Sequence, residues 1–268
     1  MLIDEKPLQH WIDNFYGYGS WDARIWFIGY EEGGGDVPEE VAEKLNYFYN
    51  AHPPSPHATL CDMRELYQHV SIRPEGPHAG LFTNQYEYRF GSNAIQHGVW
   101  KNIIAFMHGY RNEKLPDLLA FQKSSFALPS KHQVALIPLY PLPSPHNHAW
   151  YYSWLDVPFD FLKSRTLYEG HVYQRRIDNI LSNMAAYKPD VVVMYGMNKI
   201  NTLKSSAQEF LNSAKFKMVK AVKRQIPQHH RTNLEGTTLL ITTQIPALRH
   251  NRIETGFDWE KFGKKVRS

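Results

Sequence analysis

Four short apolar runs punctuate the chain: Arg24-Ile25-Trp26-Phe27-Ile28, Val134-Ala135-Leu136-Ile137, Asp190-Val191-Val192-Val193-Met194 and Thr238-Leu239-Leu240-Ile241. Each is continuous rather than alternating and rich in branched or aromatic residues, the pattern of a strand covered on both faces. Each then meets a glycine, a proline or a polar loop, at Gly29, Pro138, Gly196 and Pro246. Between the runs, apolar residues recur at helical spacing and predict helices over Pro38–Asn50, His97–Tyr110, Val172–Tyr187 and Asn201–Ser213. Strands that alternate with helices predict an α/β layered sheet. Open parallel sheets bind ligands outside the carboxyl ends of their strands, so chemistry is expected just after these four runs. Pro53-Pro54-Ser55-Pro56 and the stretch Pro141–His148 read as ordered loops, and Lys215–Arg231 as a basic strand or irregular excursion.

Composition narrows the picture. A length of 268 residues suits one large α/β domain or a domain with insertions, and a single domain is expected here over residues 1–268. Aromatics are 14% of the chain, enough to fill a core and leave rings for stacking on bases. A formal charge of +4 permits nucleic-acid binding without demanding it. The single cysteine, Cys61, excludes an intrachain disulfide and any cysteine-built zinc or iron–sulfur cluster. Met1-Leu2-Ile3-Asp4-Glu5-Lys6 lacks the apolar run of a signal peptide and no stretch is long enough to span a bilayer, so a cytoplasmic protein is expected, with no membrane partner.

The segments after the strands begin Gly29-Tyr30-Glu31-Glu32, Pro138-Leu139-Tyr140, Tyr195-Gly196 and Thr242-Thr243-Gln244, and their order resembles that of the uracil-DNA glycosylase superfamily. Its members place a Gly-x-(Asp/Asn/Ala)-Pro loop after the first core strand, then a strand ending in Asn, one ending in Trp-Gly or similar, and one ending in His-Pro-Ser. Here the series reads Ile28-Gly29-Tyr30-Glu31-Glu32-Gly33-Gly34-Gly35, Leu136-Ile137-Pro138-Leu139-Tyr140-Pro141-Leu142-Pro143, Val193-Met194-Tyr195-Gly196 and Ile241-Thr242-Thr243-Gln244-Ile245-Pro246-Ala247-Leu248-Arg249-His250. The resemblance implies a three-layer α/β/α sandwich with a central, largely parallel four-stranded sheet. It also implies DNA as partner, a flipped base, and hydrolysis of the N-glycosidic bond to leave an abasic site, in DNA repair or anti-phage defence. The aligned positions differ from the family's. Glu31 stands where the family has its water-activating Asp or Asn, and Glu32 where it has Pro. Pro138 falls near the base-reading Asn, and Thr243 or Gln244 where the His stands, with His250 later in the same loop. These departures point away from plain uracil and toward a modified base. The alternatives are a nucleic-acid-binding module that kept the fold and lost the chemistry, and an unrelated hydrolase of free nucleosides.

The residue types fit such chemistry. Breaking a sugar–base bond develops positive charge on the sugar and negative charge on the base. A carboxylate at Glu31, or in reserve Glu32, can stabilise the first and deprotonate a water, and two adjacent acids that repel are expected to raise one pKa. Gly33, Gly34 and Gly35 leave backbone amides open to DNA or phosphate. Tyr30 and Tyr140 can carry a flipped base, and Gln244 can read its edge. His250 can stabilise a leaving anion, while Arg249, Asn251 and Arg252 can hold phosphates and Ser144 can grip the DNA backbone. Water is the nucleophile, so no cofactor is expected. No metal is expected either, because His146 and His148 with His229 and His230 lack supporting carboxylate or cysteine ligands.

Overall fold

The computed structural model describes residues 3–34, 38–70, 85–145, 150–212, 214–247 and 257–267. Among them, α1 (Glu5–Asn14) leads into β1 (Phe15–Tyr18) and β2 (Ile25–Gly33). Then come α2 (Pro38–Ala51), β3 (Thr59–Cys61), α3 (Met63–Gln68) and α4 (Gln85–Arg89). Next are α5 (Gly98–Arg111), α6 (Leu118–Ser124), β4 (Ala135–Ser144), α7 (Arg165–Tyr187), β5 (Val191–Tyr195) and α8 (Ile200–Phe210). The chain closes with β6 (Lys217–Val219), β7 (His229–Leu234), β8 (Thr237–Ile241) and α9 (Trp259–Arg267).

The strands form one mixed sheet of eight in the order β3-β1-β4-β2-β5-β8-β7-β6. The four apolar runs are its centre. β4, β2, β5 and β8 are neighbours and run parallel, with Ile28 opposite both Ile137 and Met194, and Met194 opposite Ile241. A four-stranded sheet was therefore too small an expectation. The added strands are short or half-polar, such as Thr59-Leu60-Cys61 and His229-His230-Arg231-Thr232-Asn233-Leu234, and continuous apolarity does not mark them. β7 is antiparallel to β8 and β6 to β7, so part of the basic Lys215–Arg231 stretch builds a sheet edge.

Ile25, Trp26, Phe27 and Ile28 are fully buried, so both faces of β2 are covered. Neighbouring strand residues point to opposite faces. Phe27 meets Phe106 of α5 edge-on at 5.3 Å, while Trp26 meets Trp21, which stacks on Tyr187 at the end of α7. α5 and α9 approach so closely that a Cβ on Gly263 would lie 2.2 Å from the Phe106 carbonyl oxygen. α7 starts at Arg165 rather than Val172. Ser164 caps it by accepting from the Leu167 N–H at 3.2 Å, and its mostly polar first turns hide it from an apolar-periodicity reading.

β4 departs most from expectation. Pro138, Pro141 and Pro143 suggest that the strand ends early, yet it continues to Ser144. Proline gives a ladder no N–H, and β4 joins β1 through a single register pair, Tyr18 with Leu136. Side chains supply the missing partners. Trp11 donates to the Pro141 carbonyl at 2.8 Å, Tyr152 donates to that of Pro143 at 2.8 Å, and the Leu142 N–H donates to the Tyr168 hydroxyl at 2.9 Å. Arg176, with no exposed surface, donates to the carbonyls of Phe15, Pro138 and Leu139 and lies 3.7 Å over the Tyr16 ring. Burial pushes its pKa down to about 10, against the opposing pull of Tyr16 and Tyr168. No helix among the described residues is long and apolar enough to cross a membrane.

Candidate active site

Taken in chain order, the four parallel strands stand second, first, third, fourth across the sheet, so the direction of winding reverses beside β2. Such a reversal opens a crevice at the carboxyl ends of the strands. A cavity of about 780 Å³ lies there, lined by Glu31 from β2, Pro138 from β4, Gly196 after β5 and Thr243 after β8. Its other walls include Tyr67, Arg89, His97 and Trp100. Gly29 belongs to its floor, where a Cβ would lie 2.8 Å from the Tyr195 hydroxyl, so glycine lets that ring close over the strand.

β2 runs on through the acids, which places them on a strand end rather than in a loop. Adjacent strand residues diverge, and the two carboxylates have separate partners. Glu31 pairs with Arg165 at the start of α7. A second guanidinium nitrogen of Arg165 donates to the Ser144 hydroxyl at 2.7 Å, and Trp150 lies under the same group at 5.1 Å. Burial raises the Glu31 pKa, Arg165 opposes that rise by charge and by hydrogen bond, and Glu169 adds to it. Repulsion from Glu32 is not among these causes, contrary to the sequence expectation. Glu32 instead accepts from the Tyr18 hydroxyl at 2.8 Å, the Tyr67 hydroxyl at 3.0 Å and the Lys44 ammonium at 3.0 Å. Lys44 also pairs with Glu40 at 3.1 Å. Burial works against the Lys44 charge, but Glu32, Tyr67 and Glu40 overrule it and its pKa rises. Glu32 is thus the hub of a satisfied buried network.

The remaining candidates divide. Tyr30 lines the cavity, with its hydroxyl donating to Glu169; burial and that carboxylate push its pKa far upward. Tyr140 is 2% exposed and packs against Tyr30 at 4.9 Å, away from the cavity lining, so it supports a wall and offers no face to a base. Pro138 and Gly33 line the cavity, as does Gly34 with its positive φ. Ser144 lines it too, but it is buried and engaged by Arg165, which removes it from an outer DNA-gripping surface. Gln244 does not line the cavity. Its carbonyl accepts from the Gly196 N–H at 3.1 Å, while its neighbours Thr243 and Ile245 face the space. Gly35, His146, His148, Arg249, His250, Asn251 and Arg252 lie outside the described residues. His229 is buried, with its Nδ1 2.9 Å from the Pro227 carbonyl. Among the described residues, no group of three or more His, Cys, Asp or Glu side chains is placed to hold a metal ion.

Sequence reasoning missed Arg165, Lys44, Tyr67, Arg89, His97 and Trp100. Lys44 carried a local signal, since it follows Glu40 by one helical turn. The others are brought in by long-range packing. No protein-family model matches the chain, and neither does any curated protein.

Proposed function

We propose that the protein is a DNA glycosylase that hydrolyses the N-glycosidic bond of a flipped, modified base and leaves an abasic site. The observation that carries this reading is Glu31: a nearly buried carboxylate on the wall of a cleft at the carboxyl ends of four parallel strands. It stands where the resemblance to the uracil-DNA glycosylase superfamily puts the water-activating residue. The parallel centre of the sheet, with helices against both faces of β2, supports reading the fold as that superfamily's three-layer α/β/α sandwich. Small-molecule pockets run from about 300 to 1,000 Å³, so a nucleoside-sized group is an appropriate occupant.

In this mechanism the base leaves with the electron pair of its bond to C1′, and a water oxygen bonds to C1′ in its place. Glu31 stabilises the positive sugar and takes the water's proton, the departing base takes a proton from solvent, and Glu31 then returns its own to solvent, so that one water is added across the bond. Arg165 orients Glu31 and favours its ionised form. Thr243 lines the cavity from the last loop, and in this reading its hydroxyl meets the leaving base. DNA is the partner, and contact through the last loop positions the strand. No cofactor takes part.

The test is mass analysis of bases released from genomic DNAs with natural modifications, phage DNAs included. Glu31→Gln and Glu31→Ala abolish release while DNA binding survives; unchanged release by both removes Glu31 from the mechanism. The second reading, a non-catalytic nucleic-acid-binding module, draws on the Glu31–Arg165 ion pair and on Pro138, whose side chain offers a base no donor. Salt-dependent DNA binding by the wild type without release from any DNA favours it.

A further inference from the structure

Among the described residues, the charges around the cleft do not balance locally. Glu31 and Glu32 line it and have their own cations behind them, Arg165 and Lys44. Arg89 lines it as well, yet its side chain makes no hydrogen bond or ion pair with any described residue, and its Nε is buried without a partner. Among the described residues, ring faces hold the guanidinium, 5.2 Å over Trp100 and 5.4 Å over Tyr88. Arg89 is half-buried and only its Nε is closed off, so the outer nitrogens of the guanidinium keep donors open toward the cleft, where an anion would complete them.

His97 shares this wall and lies against the same Trp100 ring at 4.4 Å. Its Nδ1 accepts from the Trp100 N–H at 3.3 Å, which puts the ring proton on Nε2. That N–H has no partner among the described residues. Burial, then Arg89, lowers the His97 pKa to about 3, so the ring is a neutral donor. His97 is also the N-cap of α5, whose positive end faces the same space.

We propose that Arg89 and His97 form an oxyanion subsite, which takes a carboxylate or phosphate carried by the cleft's ligand. The subsite is independent of bond cleavage: it binds an anion whether or not Glu31 hydrolyses anything. The anion has two sources, a nucleotide phosphate or an acidic substituent on the base.

Calorimetric titration of the wild type separates them, with thymidine 5′-monophosphate against thymidine and orotate against uracil. The expected result is that one anionic ligand binds about 10- to 100-fold more tightly than its neutral counterpart, the range of a hydrogen bond to a charged group. A preference in the first pair assigns the anion to phosphate, and in the second to the base. Arg89→Gln abolishes the preference, and Arg89→Lys keeps part of it. Equal binding within both pairs by the wild type overturns the proposal, whatever the variants do. So does a preference that survives Arg89→Gln, or failure of both anions to bind.

Discussion

Replacing Arg165 with Gln exposes the balance that sets the protonation of Glu31. Burial raises the Glu31 pKa and Arg165 holds the rise in check. A close opposite charge lowers a carboxyl pKa by about 1–3 units, and each unit is about 1.36 kcal/mol. The Glu31 side chain is only 9% exposed, so solvent screening removes little of this. With the folded pKa above the unfolded one, the linked stability is full below the unfolded carboxyl range and is lost as pH rises through the folded pKa. Arg165→Gln widens that window upward. Urea unfolding should then show the stability gap between wild type and Arg165→Gln growing from pH 5 to pH 8, toward the about 3–5 kcal/mol that breaking a buried ion pair costs. Contacts to Ser144 and Trp150 are lost equally at both pH values, and a Glu31→Gln background separates the Glu31 contribution from any other contact of Arg165. In a Glu31→Gln background the gap should not vary with pH. A gap equal at both pH values in the native background refutes the ion-pair argument.

Other expectations follow from the same geometry. Tyr67→Phe and Tyr18→Phe each remove a hydrogen bond to the Glu32 carboxylate and should cost about 1.5–3 kcal/mol in urea unfolding. Lys44→Met should cost more, about 3–5 kcal/mol, because it strands buried carboxylates. Gly29→Ala drives a Cβ to 2.8 Å from the Tyr195 hydroxyl and should cost about 1–3 kcal/mol, part of which Tyr195→Phe restores. By NMR, His97 should stay neutral from pH 8 down to pH 5, since its pKa is about 3.

The sequence exposed those parts of the molecule whose burial is local and continuous. The four central strands are apolar because both of their faces are covered, and α2, α5 and α8 show themselves by one buried stripe each. Glu31 was legible for a related reason, as an acid directly after an apolar run whose strand meets a cleft at its carboxyl end. β4 was not legible beyond Pro138, because proline argues against a strand unless the partners that replace the ladder are known. Those partners, Trp11, Tyr152, Tyr168 and Arg176, come from distant segments. Tyr140 and Gln244 failed as cavity residues on side-chain direction. One turns into the core, and the other sits between two residues that face the space. The counterions Arg165 and Lys44 meet the acids only after α7 and α2 have packed.

Arg176 has a bearing on how the chain assembles during synthesis. It fastens Phe15, 161 positions earlier, to the proline-bearing half of β4. Contacts this distant in sequence form late. Until α7 emerges from the ribosome and docks, β1 and β4 present open carbonyls to any passing strand, the exposure that invites mispairing between nascent chains. One arginine thus ties that side of the sheet to a helix synthesised after both strands.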